Sequence, residues 1–515
     1  MRLLPDQQIE LKIREPSRIT MLIPHATVHD THIVRVPHKL EETKILRNLG
    51  IVVPSPIITD YDWPGEYPFP YTHQIETAAF ATLHKRCFIL NDMGLMKTLS
   101  TLWAADYLMS EGMLRKVLVL STLSCLETTW YREVFRNLMH RHAIIVHGTK
   151  RQRVLALQED VDFYIMNHHG MLVVREELSG RKDIDLVILD EGSMLRNGQT
   201  RIYKEFVKYL RADQWLWILS GKPCPNGPTD AWALARLVSP ARVPQFFTRW
   251  KDETMRKVSM FKWVPREGST QRMYDAMQPA IRFNKKDCLD LPPVIYQDRQ
   301  VPMSTMQNEW YQAMKARLVV YAQEHQVTAV NAAILLGKLL QICAGAVKTD
   351  AGEYIGVDMS GRLNVLDECI AESAAKVLVF VPYIGAMRAV TDHLRKYMAV
   401  EQLDGSTSRS ERARIITSFK DHKDPQGLVA HPKIMAHGHN LTEADTIVWF
   451  SPVHSLDIYD QANERMARPG QKLTTNIIHL GGCPLEWGVY KVLRSKGKAQ
   501  DEFLELFREE LQLQV

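Results

Sequence analysis

A chain of 515 residues, 45% hydrophobic and 24% charged, has the length for about three domains and enough apolar content for substantial cores. Lys and Arg number 64 against 59 Asp and Glu, and the net charge of +5 permits a nucleic-acid partner without requiring one. The 7 cysteines, at positions 87, 125, 224, 288, 343, 369 and 483, include no C-x-x-C pair, which argues against a disulfide framework or a zinc site and fits a reducing interior.

No secretory leader opens the chain and no apolar run approaches the ~18 residues of a membrane span. The expected location is therefore the cytoplasm or nucleoid, with no membrane partner. Residues 1 to about 65 hold prolines at 5, 16, 24, 37, 54, 56 and 64, β-leaning pieces at Ile19 to Ile23 and His32 to Val36, and a helical pattern from Leu40 to Leu49 that stops at Gly50. This reads as a small accessory module, and packing support and substrate recognition (including DNA structure) stay open as its role.

A different texture runs over residues 66–240. Helices with 3.6-residue apolar spacing alternate with short runs at Phe88 to Leu90, Val117 to Ser121, Ala143 to Val146, Phe163 to Met166, Leu186 to Leu189 and Trp215 to Leu219. Such alternation predicts an α/β fold, a parallel sheet covered by helices, with ligands at the carboxyl edge of the strands. The first run turns through Asn91-Asp92-Met93-Gly94-Leu95-Met96 into Lys97-Thr98. Loop amides and the positive end of the next helix would face a phosphate there, with Lys97 on the β/γ-phosphates and the Thr98 hydroxyl on Mg2+. The pattern G-x-x-x-x-G-K-[ST] has glycines where this chain has Asn91 and Met96, so the loop alone fits an ordinary strand-turn-helix equally well. Asp190 and Glu191 leave another buried run. Alone they would read as a helix cap. Paired with a phosphate loop, they read as a Mg2+ ligand and a residue that orients or deprotonates the attacking water.

Over residues 241–350 the strand signal disappears and helices dominate, broken by Leu291-Pro292-Pro293, which reads as helical insertions and a linker. Alternation resumes over 351–495 with runs at Val377 to Phe380, Val400 to Leu403, Gly427 to Val429, Thr446 to Phe450 and Asn476 to Leu480, a second α/β lobe. Two lobes with one nucleotide loop suggest a cleft that closes on ATP. Within the second lobe Gln461, Arg465 and Arg468 fall at i, i+4 and i+7, one face of a predicted helix whose guanidinium groups suit a transferring phosphoryl group. The tail, 496–515, reads as a helical brace with Leu504, Phe507 and Leu511 on one face.

Taken together, residues 69 to 498 resemble a Swi/Snf-type member of the superfamily-two helicase-like ATPases. Phe69-Pro70-Tyr71-Thr72-His73-Gln74 resembles the glutamine motif that reads adenine, and Asp92 to Thr98 resembles motif I. Val117 to Ser121 through Trp130 resembles motif Ia, and Asp190-Glu191-Gly192-Ser193 stands at the acidic box. Ser220-Gly221-Lys222-Pro223 with Asn226 is similar to motif III, Lys376 to Phe380 to motif IV, and Leu403 to Thr407 with Arg412 to the next block. Gly438-His439-Asn440-Leu441 and Gln461 to Gln471 resemble motifs V and VI.

The resemblance implies two RecA-like lobes, ATP and Mg2+ as cofactors, and stepwise movement along duplex DNA. It assigns catalysis to Lys97, Asp190, Glu191, Arg465 and Arg468, nucleotide binding to Gln74, Gly94, Met96, Lys97, Thr98 and Gln461, and Mg2+ to Thr98 and Asp190. Polar residues at strand ends, Ser121, Thr122, Asn167, Thr407 and His437, are the expected contacts to the backbone of linear or branched DNA, without sequence preference. The minimal architecture resembles a fork-remodelling, branch-migrating or annealing motor of viral or bacterial type, with replication or transcription proteins as possible partners. Met96, Gly192, Ser193 and Lys222 depart from the residues usual in the family. These departures sustain a second reading, a DNA-binding clamp with little hydrolysis, and a translocase acting on polymerase is a third.

Overall fold

The computed structural model describes residues 1–64, 70–221, 223–225, 227–258, 263–324, 329–349, 351–435, 441–468, 470–495, 506 and 510. The chain divides into two compact units, Met1–Cys288 and Leu289–Val515. Lys222, Asn226, His437 to Asn440 and the tail residues Leu504, Phe507 and Leu511, singled out above, lie outside the described residues. Among the described residues no helix is long and apolar enough to cross a membrane.

The first unit opens with an antiparallel sheet of β1 (Arg2–Leu4), β2 (Gln8–Lys12), β3 (Thr27–Asp30) and β4 (Ile33–Pro37), in the order β1-β2-β4-β3. The Ile19 to Ile23 piece, read as β-leaning, belongs instead to a helix, Pro16–Leu22. Proline at the first helical position is preset for the turn, and Ile19 and Ile23, four apart, are buried while Met21 is 85% exposed. That is helical spacing, which a five-residue window hides. The helix Leu40–Asn48 and the positive φ at Gly50 follow the reading.

Six strands then form the frame of the unit: β5 (Arg86–Ile89), β6 (Lys116–Ser121), β7 (Ala143–Val146), β8 (Phe163–Asn167), β9 (Ile184–Leu189) and β10 (Trp215–Leu219). After a short hairpin, β11 (Met255–Lys257) with β12 (Trp263–Pro265), the two-residue β13 (Ala280–Ile281) returns to the sheet beside β5. The seven strands run parallel in the order β13-β5-β10-β9-β6-β8-β7. Both faces are dry. Phe88, Leu118, Leu120, Val187 and Ile218 pack into one apolar cluster, and their neighbours Cys87, Val117, Val119, Ile188 and Trp217 into another. This explains why the strands read as continuous apolar runs rather than alternating ones.

The second unit holds β14 (Val294–Gln300), β15 (Ala346–Lys348), β16 (Tyr354–Gly356), β17 (Lys376–Phe380), β18 (Val400–Leu403), β19 (Gly427–Ala430), β20 (Ala444–Trp449) and β21 (Thr475–Gly481). Six of them make a second parallel sheet, ordered β14-β21-β20-β17-β19-β18. The expected α/β architecture of two parallel sheets in tandem is therefore present. The interval 241–350 is not free of strands, however, since β11 to β15 fall in it. β14 opens on Val294, Ile295 and Tyr296 directly after Pro292-Pro293 and then turns polar, an edge strand half-buried to exposed throughout, and β13 is too short to show a period.

Candidate functional site

A parallel sheet delivers every strand to the same edge. At the carboxyl edge of the first sheet, β5 leads into the Asn91–Met96 loop, β10 into Ser220 and Gly221, β9 into Asp190 and Glu191, β6 into Ser121 and Thr122, and β8 into Asn167 and His168. Ser121 and Asn167 stand opposite each other in the ladder.

The loop after β5 is held from three sides. Asn91 is fully buried, donating 2.8 Å to Thr77 Oγ1 and accepting 3.1 Å from the Phe283 amide. Asp92 accepts 3.0 Å from the Lys285 amide. The position where the general pattern has its first glycine is thus a structural tie between the helix Thr72–Leu83 and the segment after β13. Gly94 takes φ +84, and Met96, directly before the helix Lys97–Ser110, is left-handed at φ 50, ψ 41. A side chain with a Cβ costs about 1–2 kcal/mol there, which is why glycine is the usual choice. Lys97 Nζ donates 2.7 Å to the Asn91 carbonyl and 3.1 Å to that of Asp92, which holds the ammonium over the loop. Gly221 stands against the same loop, where an added Cβ would lie 3.1 Å from Met93 Cγ.

Gln74 sits in the first turn of the helix Thr72–Leu83, 1% exposed. Its Oε1 accepts 3.1 Å from the Tyr71 amide, while its Nε2 is buried with no hydrogen-bond partner. A buried amide donor left without an acceptor costs about 1–3 kcal/mol. It fits a ligand with a ring-nitrogen acceptor, as adenine has. Beside it His73 stacks on Tyr71 at 5.5 Å, and burial lowers its pKa, leaving a neutral ring.

Asp190 is the most tightly held group of the edge. Its Oδ2 accepts from Ser121 Oγ at 2.7 Å and from the Trp130 indole at 2.9 Å, and its Oδ1 from the Glu191 amide at 3.0 Å. Three of the roughly four lone-pair directions of a carboxylate are thereby used, so the group is fixed in orientation with capacity left on Oδ1 for a metal or its water. His168 Nε2 donates to the Asp190 carbonyl at 2.7 Å, since a carbonyl oxygen can only accept, and burial lowers the pKa of that ring. Glu191 follows in a left-handed conformation, φ 51, which turns the chain sharply at the strand end. Gly192 explains itself by space: a Cβ would stand 2.2 Å from Ile218 Cγ2. An alanine there would require Ile218 to shift.

Ser121 is 0% exposed and its hydroxyl is given to Asp190, which counts against it as a contact to DNA. Thr122 and Asn167 are half-buried at the same edge, Thr122 Oγ1 3.3 Å from Ser124 Oγ and Asn167 Oδ1 accepting from Arg153. In the second unit the helix read through Arg468 stops earlier, at Leu456–Asn463, so Gln461 is helical and Arg465 and Arg468 are in the turn beyond it. The helical partner of the Arg465 carbonyl would be residue 469, a proline without an N–H, and the Leu441 amide takes that carbonyl instead at 3.0 Å. Each arginine still folds back on the chain, Arg465 Nε onto the Gln461 carbonyl at 3.1 Å and Arg468 Nε onto that of Glu464 at 3.0 Å. Thr407 Oγ1 accepts 3.1 Å from the Asp404 amide within its own turn.

Trp130 and His168 had no assigned chemistry in the sequence, and Phe283 and Lys285 were read as linker. A buried indole N–H must find an acceptor. That rule pointed at Trp130, although only the fold names Asp190 as the partner.

The SNF2-related domain family matches residues 37–344, more than half of the chain, and the helicase conserved C-terminal domain matches residues 361–470. Among similar proteins, protein p41 of Acyrthosiphon pisum secondary endosymbiont phage 1 is 25% identical over 475 residues, covering 86% of this chain and 98% of that protein. Nuclear protein STH1/NPS1 of Saccharomyces cerevisiae is 25% identical over 434 residues, which are 77% of this chain but 32% of the yeast protein. The Sulfolobus solfataricus SWI2/SNF2 ATPase core, solved in complex with dsDNA, is 22% identical with a TM-score of 0.43, covering 88% of this chain and 99% of that one.

Proposed function

Because the chain belongs to the family of helicase-like ATPases built from an SNF2-related domain and a helicase C-terminal domain, we propose that it is an ATP-driven motor that moves along duplex DNA and remodels forks, junctions or protein-DNA complexes. The observation that carries this reading is the Asp190 arrangement. A carboxylate fixed by Ser121, Trp130 and the Glu191 amide, one sheet edge with the Lys97 loop and the orphan Gln74 amide, is preorganised for charge on a nucleotide. In this reading Gln74 holds the base, Gly94, Met96 and Lys97 hold the phosphates, and Glu191 orients or deprotonates the attacking water. Gln461 belongs to the nucleotide set, and Arg465 and Arg468 supply positive charge to the transferring phosphoryl group. Mg2+, held by Thr98 and Asp190, neutralises phosphate oxygens when bound. Thr122, Asn167, Thr407 and His437 are the residues proposed to meet the DNA backbone.

The test is ATP hydrolysis with and without duplex DNA. Turnover is expected to rise with DNA and to fall about 10²–10³-fold in Lys97→Ala and about 10²–10⁴-fold in Glu191→Gln. DNA binding without hydrolysis in the intact protein would remove the motor and leave the clamp. One observation favours that second reading, the left-handed Met96 where the backbone must approach phosphate. Met96→Gly tests whether the side chain stands in the way. Removing a thioether that crowds the nucleotide is expected to lower KM for ATP roughly fivefold, about 1 kcal/mol, measured under steady state with DNA saturating. A KM that stays or rises would mean that the methionine stands clear of the nucleotide.

A further inference from the structure

The second unit contains a buried side-chain cluster that the nucleotide chemistry does not use. Cys343 ends the helix Ala329–Cys343, and Cys483 and Glu486 stand at the start of the helix Pro484–Ser495. Although 140 residues separate the cysteines in sequence, their Sγ atoms lie 3.6 Å apart. One ligand atom from each of Cys343, Cys483 and Glu486 lies within 4.8 Å of the others, and all three residues are buried.

The carboxylate is held in a particular way. Glu486 Oε2 accepts from Arg362 Nη2 at 2.6 Å and from the Gly482 amide at 2.7 Å, while Oε1 is buried without a hydrogen-bond partner. An ionised oxygen left bare in the interior is costly unless a cation or donor meets it. The sulfur spacing indicates which. Two thiolates on a tetrahedral ion with metal–sulfur bonds of about 2.3 Å stand about 3.8 Å apart, close to the distance here. Charge narrows the choice further. Two thiolates and Glu486 carry three negative charges, Arg362 carries one positive charge, and a divalent ion leaves the buried set neutral.

We propose that Cys343, Cys483 and Glu486 bind one thiophilic divalent ion of the Zn2+ class, three protein ligands that tie the end of one helix to the start of the other. Arg362 and the Gly482 amide are the outer partners that orient the carboxylate. A cavity lined by Met303, Tyr311, Lys315, Cys483 and Glu510 opens beside the cluster and gives an ion a way in and a water room to complete the coordination. No C-x-x-C pair marks such a site in the sequence, because the two sulfurs come from distant elements.

The full chain, reduced, stripped with chelator and desalted, is titrated with Co2+ and then with Zn2+. One equivalent of Co2+ is expected to raise a thiolate charge-transfer band and the visible bands of a tetrahedral site, both removed by Zn2+. Cys343→Ser and Cys483→Ser, which leave the Arg362–Glu486 pair intact, are each expected to weaken uptake at least about tenfold. Cys369→Ser, a buried thiol outside the cluster, is the control and should titrate like the parent, with circular dichroism showing that every variant is folded. No charge-transfer band in folded, fully reduced parent protein overturns the proposal. So does a band that persists in both cysteine variants, or a Cys343–Cys483 disulfide, seen as the loss of two hydrogens by mass, that forms in air with equimolar Zn2+ present.

Discussion

Arg468→Ala is expected to lower DNA-stimulated ATP turnover by about 10³-fold or more, which corresponds to roughly 4 kcal/mol of transition-state stabilisation. The residue is half-buried in the turn after the helix Leu456–Asn463, with its Nε on the Glu464 carbonyl at 3.0 Å. Its amide donates to the Met466 carbonyl at 2.8 Å, so the guanidinium is presented from a fixed backbone rather than from a mobile loop. Arg465 is a poorer probe. It is 5% exposed and its carbonyl anchors Leu441, so truncation there would mix a packing loss with a catalytic one. Single-turnover hydrolysis with saturating ATP, alongside DNA binding by anisotropy, reads the difference: turnover should collapse while DNA affinity stays within about threefold. Arg468→Lys should recover only part of the rate, because a point charge lacks the planar fork that matches phosphate oxygens. Turnover within tenfold of the parent for Arg468→Ala would take the residue out of the catalytic set.

What the residues disclosed in advance was the part governed by local rules. Runs such as Val117 to Ser121 and Leu186 to Leu189 are apolar because both sheet faces are covered, and that pattern survives without knowledge of partners. Acidic residues after such a run, and a lysine after a turn, carry their chemistry with them. What stayed hidden depends on pairings distant in sequence. Ser121, Trp130 and Asp190 meet only when β6 and β9 become neighbours, so Ser121 read as a surface hydroxyl and proved to be a ligand of the carboxylate. Asn91 looked like a defect in a glycine pattern because its partners, Thr77 and Phe283, come from the preceding helix and from a segment 192 residues later. The helix end at Asn463 was in principle legible, since Pro469 denies the Arg465 carbonyl its partner, yet the i, i+4, i+7 spacing of polar residues outweighed it.

The second large effect concerns stability. Arg362 and Glu486 form an ion pair at 2.6 Å with side chains 2% and 0% exposed, and the Arg362 Nη1 also donates to the carbonyl of Phe450. One residue thereby joins the helix Ser360–Ala371, the end of β20 and the helix Pro484–Ser495. Arg362→Ala removes the donor and leaves a carboxylate in the interior, which is expected to cost about 3–5 kcal/mol. For a unit of this size that is a fall of about 6–20 °C in the melting transition of the second unit, measured on the full chain with chelator present so that metal cannot offset the lost charge. The pair itself need not be stabilising. Two charges withdrawn from water recover their desolvation only through good geometry, so Arg362→Met with Glu486→Leu, apolar and of similar volume, is expected to return most of the lost stability. If the double variant melts as low as Arg362→Ala, the loss comes from the hydrogen bonds to Phe450 and Leu480 rather than from the orphaned charge. If it recovers, the ion pair persists in this core for something other than stability, and orienting Glu486 toward the two sulfurs is the role the geometry offers.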